Sequence, residues 1–312
     1  MMAKLKIYSG RVPKPTYLAT PSYGLNRALG GGLLGGRIHV LWGEKASGKT
    51  TQALHMIASA QKENKICMFI DAEKTYTESW AIKCGVDVDK LKYIRGNSVE
   101  DILETIMPMI TSEEIDVLVL DSLSSIFSKS FFDTKNPGNN AIGISARSAN
   151  NFVATILAGL CLDTKVILIA HASYQATGYT MSLQAKLSES VKHWASTIIK
   201  FRQCKSEADI RFDGARRIEW EIQKSKQSVY PVKGSYYFDA NRVYIDNVAE
   251  VVDIAIDIGL IEKSGAWYAY NDNKFHGEKQ LLEFVRENDD VVASLMKSID
   301  EFDATQQRVE IL

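Results

Sequence analysis

No stretch of this 312-residue chain stays apolar for the roughly 20 residues that a membrane-spanning helix needs. The N-terminus, MMAKLKIYSGRVPKP, has no apolar core of the secretory kind. Cysteine is scarce. Cys67, Cys84, Cys161 and Cys204 stand far apart and none belongs to a CxxC pair, which argues against a zinc site. Three of them sit beside apolar runs, as buried reduced thiols do. These absences predict a cytoplasmic, or at least intracellular, protein with no membrane partner. Internal repeats and low-complexity tracts are also missing, which excludes solenoid and linker architectures.

What is present is ordinary globular material, 46% hydrophobic and 24% charged, enough for one large α/β domain and a small appendage. The formal net charge of −1 hides an asymmetry. Residues 246–312 carry 15 acidic and 6 basic side chains, so the chain before them is basic by 8 charges. A basic body with an acidic end suits a polyanion binder whose tail competes with its ligand, and suits a solvated acidic surface equally well.

The apolar pattern predicts alternating strands and helices. RIHVLWG, KICMFIDAE, IDVLVLDS and KVILIAHAS read as strands, mostly as continuous apolar runs buried on both faces. TTQALHMIASAQKE, VEDILETIMPMITSEE (with Pro108 as a kink) and ARSANNFVATILAGLCLD read as helices between them. That alternation predicts a mostly parallel sheet with helices on both faces, an α/β fold. After residue 195 the pattern changes. STIIKFRQ, RRIEWEIQKS and GSYYFDA predict a β-rich, antiparallel extension, and a small acidic α+β segment follows from about residue 247.

Gly43-Glu44-Lys45-Ala46-Ser47-Gly48-Lys49-Thr50 fits GxxxxGK[ST], between a strand and a helix that opens with Thr51. Backbone amides of such a loop surround phosphate oxygens, and the helix N-terminus adds partial positive charge. Lys49 would reach the β- and γ-phosphates of ATP, and Thr50 would hold Mg²⁺. Asp121 closes the strand VLVLD, where a carboxylate can hold the Mg²⁺ shell. Glu73 ends MFIDAE and is the candidate to activate water. Asp71, two residues earlier, is expected to face away from the nucleotide. His171 ends VILIA at the same edge, either as a sensor of the γ-phosphate or as a packed polar residue.

GEKASGKTT, MFIDAEKTYTESWAIKCGVDVDKL, IDVLVLDSLSSI and GLIEKSGAWYAYN resemble the bacterial RecA recombinases and their bacteriophage relatives, from about Tyr17 to about residue 300. The resemblance implies a RecA-like P-loop ATPase core over residues 17–246, an N-terminal subunit-contact arm over 1–16 and a small C-terminal α+β domain over 247–312. It assigns Glu73 as catalytic glutamate, Lys49 and Thr50 to the P-loop, and Asp121 with Ser122 to the Walker B end. Trp80 falls where the family has an adenine-stacking tyrosine, though a Trp can also simply pack a helix. His171 replaces a glutamine that links nucleotide to DNA. Lys224 and Lys226 match a pair that reaches the γ-phosphate on the adjacent subunit. Spacing alone reads them as two solvated lysines on one strand face.

The resemblance further implies a helical homo-filament on single-stranded DNA that pairs with homologous duplex. Two DNA-binding loops are expected near residues 129–145 and 172–190, both long and polar. Arg147 follows the first. Tyr174, Tyr179 and Met181 in the second would stack on bases, and Lys186 would meet phosphate. Glu219 and Glu221 stand where relatives carry basic residues for a second DNA site. Lys200, Arg202, Arg216 and Arg217 are the candidates to compensate. The arm is short for the family's leading helix, so LKIYSG would supply the subunit contact as an added strand. The acidic C-terminal domain is expected to moderate DNA access. Two other readings stay open: a regulatory paralog that binds nucleotide without exchanging strands, and a hexameric helicase-type motor.

Overall fold

The computed structural model describes residues 14, 16–133, 141–177, 180–227 and 232–309. The chain opens with β1 (Tyr17–Leu18), α1 (Tyr23–Ala28), β2 (Leu33–Leu34), β3 (Arg37–Gly43) and α2 (Lys49–Lys62). Then come β4 (Cys67–Asp71), α3 (Glu78–Lys83), β5 (Lys92–Arg95), α4 (Val99–Thr111) and β6 (Val117–Asp121). Next are α5 (Lys129–Asp133), α6 (Ala141–Gly159), β7 (Lys165–Thr177), β8 (Thr180–Ala185), α7 (Glu189–Trp194), β9 (Thr197–Gln203) and β10 (Arg216–Ser225). The remainder is β11 (Val232–Asp239), β12 (Tyr244–Ile245), α8 (Asn247–Asp257), β13 (Glu262–Ser264), β14 (Trp267–Tyr270), β15 (Asn273–His276), α9 (Glu278–Arg286) and α10 (Asp289–Val309).

Two compact units share these elements. The first comprises residues 1–21, 25–203 and 219–233. The second comprises residues 22–24, 204–218 and 234–312.

In the first unit the strands lie in the order β5-β4-β6-β7-β3-β9, with the part of β10 from Glu219 onward beyond β9. The pairings from β5 to β9 are all parallel. Every residue of β4 and of β6 is buried, as strands covered on both faces must be. Ile106 and Ile110 of α4 and Phe152 and Ile156 of α6 fill the core against Leu118, Leu120, Val166 and Leu168. Ser98 caps α4 by accepting from the Asp101 amide at 3.4 Å, and the helix runs through Pro108 to Thr111.

Two segments differ from the sequence-based expectation. β9 belongs to the parallel sheet, beside β3, rather than to an antiparallel extension. A crossover through α7 brings the chain back in the parallel sense, and no local pattern announces it. Residues 172–177 and 180–185, expected in a loop, are paired antiparallel strands, with Ala172 opposite Ala185 and Tyr174 opposite Leu183. Their alternation lacks an apolar run, so periodicity gave no strand there.

The second unit contains the antiparallel pair β11–β12, the meander β13-β14-β15 and helices α8, α9 and α10. Val252 and Ala255 of α8, Leu281 and Val285 of α9 and Leu295 and Ile299 of α10 form its core with Phe275. Arg211, buried to 3% side-chain exposure, donates to Asp213 at 2.6 Å and to Asp246 at 2.5 Å, and Arg286 also pairs with Asp246.

Candidate functional site

The parallel registers gather the chemistry at one sheet edge. Gly43 pairs with His171 across β3 and β7, and Asp71 pairs with Asp121 across β4 and β6. The loop 43–48 leaves β3 at this edge and returns as α2, whose N-cap Gly48 is left-handed at φ 88°. Gly43 is needed for a different reason: a Cβ there would stand 2.2 Å from the Phe201 carbonyl oxygen. Lys49 Nζ donates to the carbonyls of Glu44 at 2.8 Å and Gly43 at 3.1 Å, and to Ser47 Oγ at 3.4 Å. Its ammonium therefore lies across the loop, within the ring of backbone groups. Burial lowers the Lys49 pKa, against the pull of Asp121 and Glu73. Ser47 is buried, Glu44, Thr50 and Thr51 are half-buried, and Lys45 and Ala46 are exposed.

Thr50 donates to Asp121 Oδ2 at 2.6 Å. Asp121 is buried, and desolvation raises its pKa to about 6 although the Thr50 hydroxyl opposes the shift. The Asp121–Ser122 peptide is cis. β4 stops at Asp71, so Glu73 lies just beyond the strand, and the amides of Ala72 and Glu73 donate to the Asp121 carbonyl at 2.8 and 3.2 Å. Glu73 Oε1 meets His171 Nε2 and accepts from Ser125 Oγ at 3.4 Å. The His171 hydrogen bond is the main cause of a lowered Glu73 pKa, so the carboxylate is held ionised. Asp71 does other work. It accepts the Tyr93 hydroxyl at 2.9 Å and the Thr75 and Tyr76 amides at 3.1 Å each, bracing the turn that carries Glu73. Sequence reasoning missed Tyr93 and Ser125, because only the β4–β5 register and the turn after β6 bring them here.

Trp80, half-buried on α3, donates its indole N–H to Thr51 Oγ1 at 3.3 Å, which sets the ring beside the start of α2. The residues present fit a nucleotide triphosphate with Mg²⁺. The loop presents backbone to the space around Lys49, where a side chain at Gly43 has no room. Thr50 and Asp121 supply two hard oxygens. Among the described residues no group of three His, Cys, Asp or Glu could hold a metal alone.

Comparison with known proteins gives the same direction. The RecA N-terminal domain model matches residues 5–233, and the RecA C-terminal domain model matches residues 249–302. The chain belongs to the RecA family. Similar relatives include Protein RecA of Pseudomonas fluorescens, 31% identical over 296 residues, covering 90% of this chain and 81% of that protein. Protein RecA of Acidiphilium cryptum (strain JF-5) is 30% identical over 289 residues, covering 90% and 83% respectively. Protein RecA of Teredinibacter turnerae (strain ATCC 39867 / T7901) is 30% identical over 283 residues, covering 89% and 82%.

In this RecA-family chain the remaining candidates make other contacts. Lys224 Nζ donates to the carbonyls of Lys192 at 2.6 Å and His193 at 2.8 Å, and Lys226 reaches His193 O at 3.5 Å. Both ammonium groups thus gather at the C-terminal end of α7, where helix carbonyls favour a cation. Burial, then its neighbour Lys226, lowers the Lys224 pKa.

Arg147 is exposed on α6. Tyr174 is 64% exposed on β7, and Lys186 is exposed just after β8 with its amide donating to His171 O at 2.8 Å. Met181 lies on β8, its side chain outside the described residues. Tyr179, LKIYSG and residues 134–140 also lie outside them. Arg202 is committed elsewhere: its Nε donates to Glu219 at 2.9 Å and its Nη2 meets the same oxygen. Lys233 pairs with Glu221 at 3.0 Å. Lys200 lies over the Trp42 ring, 5.2 Å from its centroid. In the second unit Arg216 donates to Cys204 O at 3.4 Å and Arg217 to Ser235 Oγ at 3.0 Å. Among the described residues no helix is long and apolar enough to cross a membrane.

Proposed function

We propose that this RecA-family chain is a DNA-dependent ATPase that assembles on single-stranded DNA as a helical filament, pairs it with homologous duplex and exchanges strands. The observation that carries this reading is the meeting of Glu73, His171, Thr50 and Asp121 at one sheet edge beside Lys49. Lys49 and the loop amides would bind the ATP phosphates. Glu73, kept ionised by His171, would orient the attacking water and take its proton. Thr50 and Asp121 would hold Mg²⁺, which neutralises phosphate charge when bound. Because His171 opens the β7–β8 hairpin, the same side chain would couple the nucleotide to DNA on that hairpin. Trp80 would stack on adenine. Lys224 and Lys226 do not reach the P-loop of their own chain among the described contacts, which suits a role toward the γ-phosphate of a neighbour.

On this reading residues 1–16 form the subunit-contact arm, 17–246 the ATPase core and 247–312 an acidic domain that moderates DNA access. The test is ATP hydrolysis with and without single-stranded DNA, in the wild type and in Glu73→Gln and Lys226→Ala. Strong stimulation by DNA, lost in both variants, is expected. A slow rate that DNA does not change sinks the proposal.

One observation favours a second reading. Glu219 and Glu221 tie up Arg202 and Lys233, which removes cations from this face. A regulatory paralog that binds nucleotide but captures no duplex fits that arrangement. Joint-molecule formation between single-stranded DNA and homologous duplex distinguishes the two.

A further inference from the structure

The turn that carries Glu73 is held by groups outside the loop 43–48. Asp71, the last residue of β4, is 1% exposed. Its Oδ1 accepts from the Thr75 amide at 3.1 Å, and its Oδ2 from the Tyr76 amide at 3.1 Å and the Tyr93 hydroxyl at 2.9 Å. A buried carboxylate needs such donors. Two of the three are backbone amides of the turn, so the orientation of this carboxylate sets the path of residues 72–76. Lys74, inside that path, is left-handed at φ 62°. A residue with a side chain keeps that conformation only where its surroundings over-determine it.

Tyr93 supplies the third donor from a strand distant in sequence. It lies on β5, at the edge of the sheet, opposite Phe69 of β4. Its ring packs on Tyr76 at 4.8 Å between centroids, and Tyr76 packs on Phe69 at 5.5 Å. That row of rings fixes where the phenol can point. Partial burial, then the Asp71 hydrogen bond, raises the Tyr93 pKa to about 12, so the phenol stays a donor at neutral pH. Among the described residues it is the only side chain that donates to Asp71. Without the hydroxyl, Oδ2 keeps one donor and the carboxylate is free to turn.

We infer that Tyr93 is a positioning residue for hydrolysis: through Asp71 it fixes the turn 72–76 and so sets where the Glu73 carboxylate meets water. This role rests on the proposed ATP hydrolysis. It adds to that reading a residue on the edge strand that acts through another side chain rather than on the reacting atoms. Its described partners are Asp71 and Tyr76, not the loop 43–48 or Trp80, so nucleotide binding should change little.

The test measures steady-state ATP hydrolysis with single-stranded DNA, and the urea midpoint, in wild type, Tyr93→Phe, Asp71→Asn and the double variant. Tyr93→Phe keeps the row of rings and removes only the hydroxyl. Its kcat is expected to fall about five- to fifty-fold, with KM within about two-fold of the wild type. In the Asp71→Asn background the same substitution should change kcat less than about two-fold, because the path through Asp71 is already broken. If Asp71→Asn does not fold, the kcat-against-KM split of Tyr93→Phe decides by itself. Unchanged kcat in Tyr93→Phe overturns the role, as does a raised KM with kcat intact. Equal factors in the two backgrounds overturn the route through Asp71. An activity loss that only follows the folded fraction makes Tyr93 an ordinary structural residue. A wild-type rate that DNA does not change sinks the recombinase reading, and the Tyr93→Phe split in that rate still decides the role. No hydrolysis by the wild type overturns both.

Discussion

The Thr50 hydroxyl donates to Asp121 Oδ2 at 2.6 Å, tying the first turn of α2 to the end of β6. The carboxylate it meets is buried, with a pKa raised from 3.8 to about 6. A raised carboxylate pKa means that the fold favours the neutral form. That stability is fully present below pH 3.8 and is lost as pH rises through 6, amounting to about 3 kcal/mol at pH 8. Asp121→Asn is therefore expected to melt higher than the wild type at pH 8 in EDTA, with the gap closing toward pH 5. ATP hydrolysis should fall at least about a hundred-fold in the same variant. Thermal melts across pH, with and without Mg²⁺, check it. A gap that does not change with pH would remove the argument.

Trp80 gives a more moderate expectation. Its indole lies beside Thr51, at the start of α2. If the ring stacks on a base, Trp80→Ala should weaken nucleotide binding about two- to twelve-fold, and Trp80→Phe should restore most of it. Equilibrium titration with a fluorescent ATP analogue measures this. Equal affinities in all three proteins would make Trp80 a packing residue.

Gly43→Ala should damage both stability and binding. The added methyl meets the Phe201 carbonyl at 2.2 Å and Ser47 Oγ at 2.7 Å, so β3, β9 or the loop has to move. Overpacking of this kind costs about 1–3 kcal/mol. Urea unfolding should show a lower midpoint with unchanged slope. A wild-type midpoint would mean that the loop yields freely.

The second unit has its own pH response. Glu250 on α8 is 1% exposed, accepts from Ser22 Oγ at 2.6 Å, and has one carboxyl oxygen without a partner among the described residues. Burial raises its pKa from 4.5 to about 7, and Asp253 adds to the shift. The stability of the neutral form is complete below pH 4.5 and disappears as pH passes 7, by about 3 kcal/mol. Glu250→Gln should flatten the decline in stability between pH 5 and pH 8. Denaturation at the two pH values checks it, and a decline as steep as in the wild type would count against this assignment.

The P-loop was legible because its chemistry is local: loop, lysine and threonine are contiguous between a strand and a helix. Alternation did not separate Glu73 from Asp71, since residues two apart on a strand share a face; they part because β4 ends at Asp71, which turns to Tyr93, while the following turn carries Glu73 to His171. The pairing of 172–177 with 180–185 was not legible, because polar strands of this kind are stabilised by a partner that the local pattern does not name. The parallel placement of β9 escaped for the same reason. Arg202 read as a free cation because nothing local indicates that Glu219, on β10, would stand within reach of its guanidinium.

By itself the sequence determined the fold class, the strand–loop–helix at 43–50 and the family, because buried strands, a glycine-bearing turn and a helix start are written in adjacent residues. Only the tertiary structure decided which side chains meet. Register set Gly43 beside His171, and the turn braced by Asp71 brought Glu73 to that histidine. Those contacts depend on distances of a few ångströms between distant segments, which hydrophobic pattern and spacing do not encode.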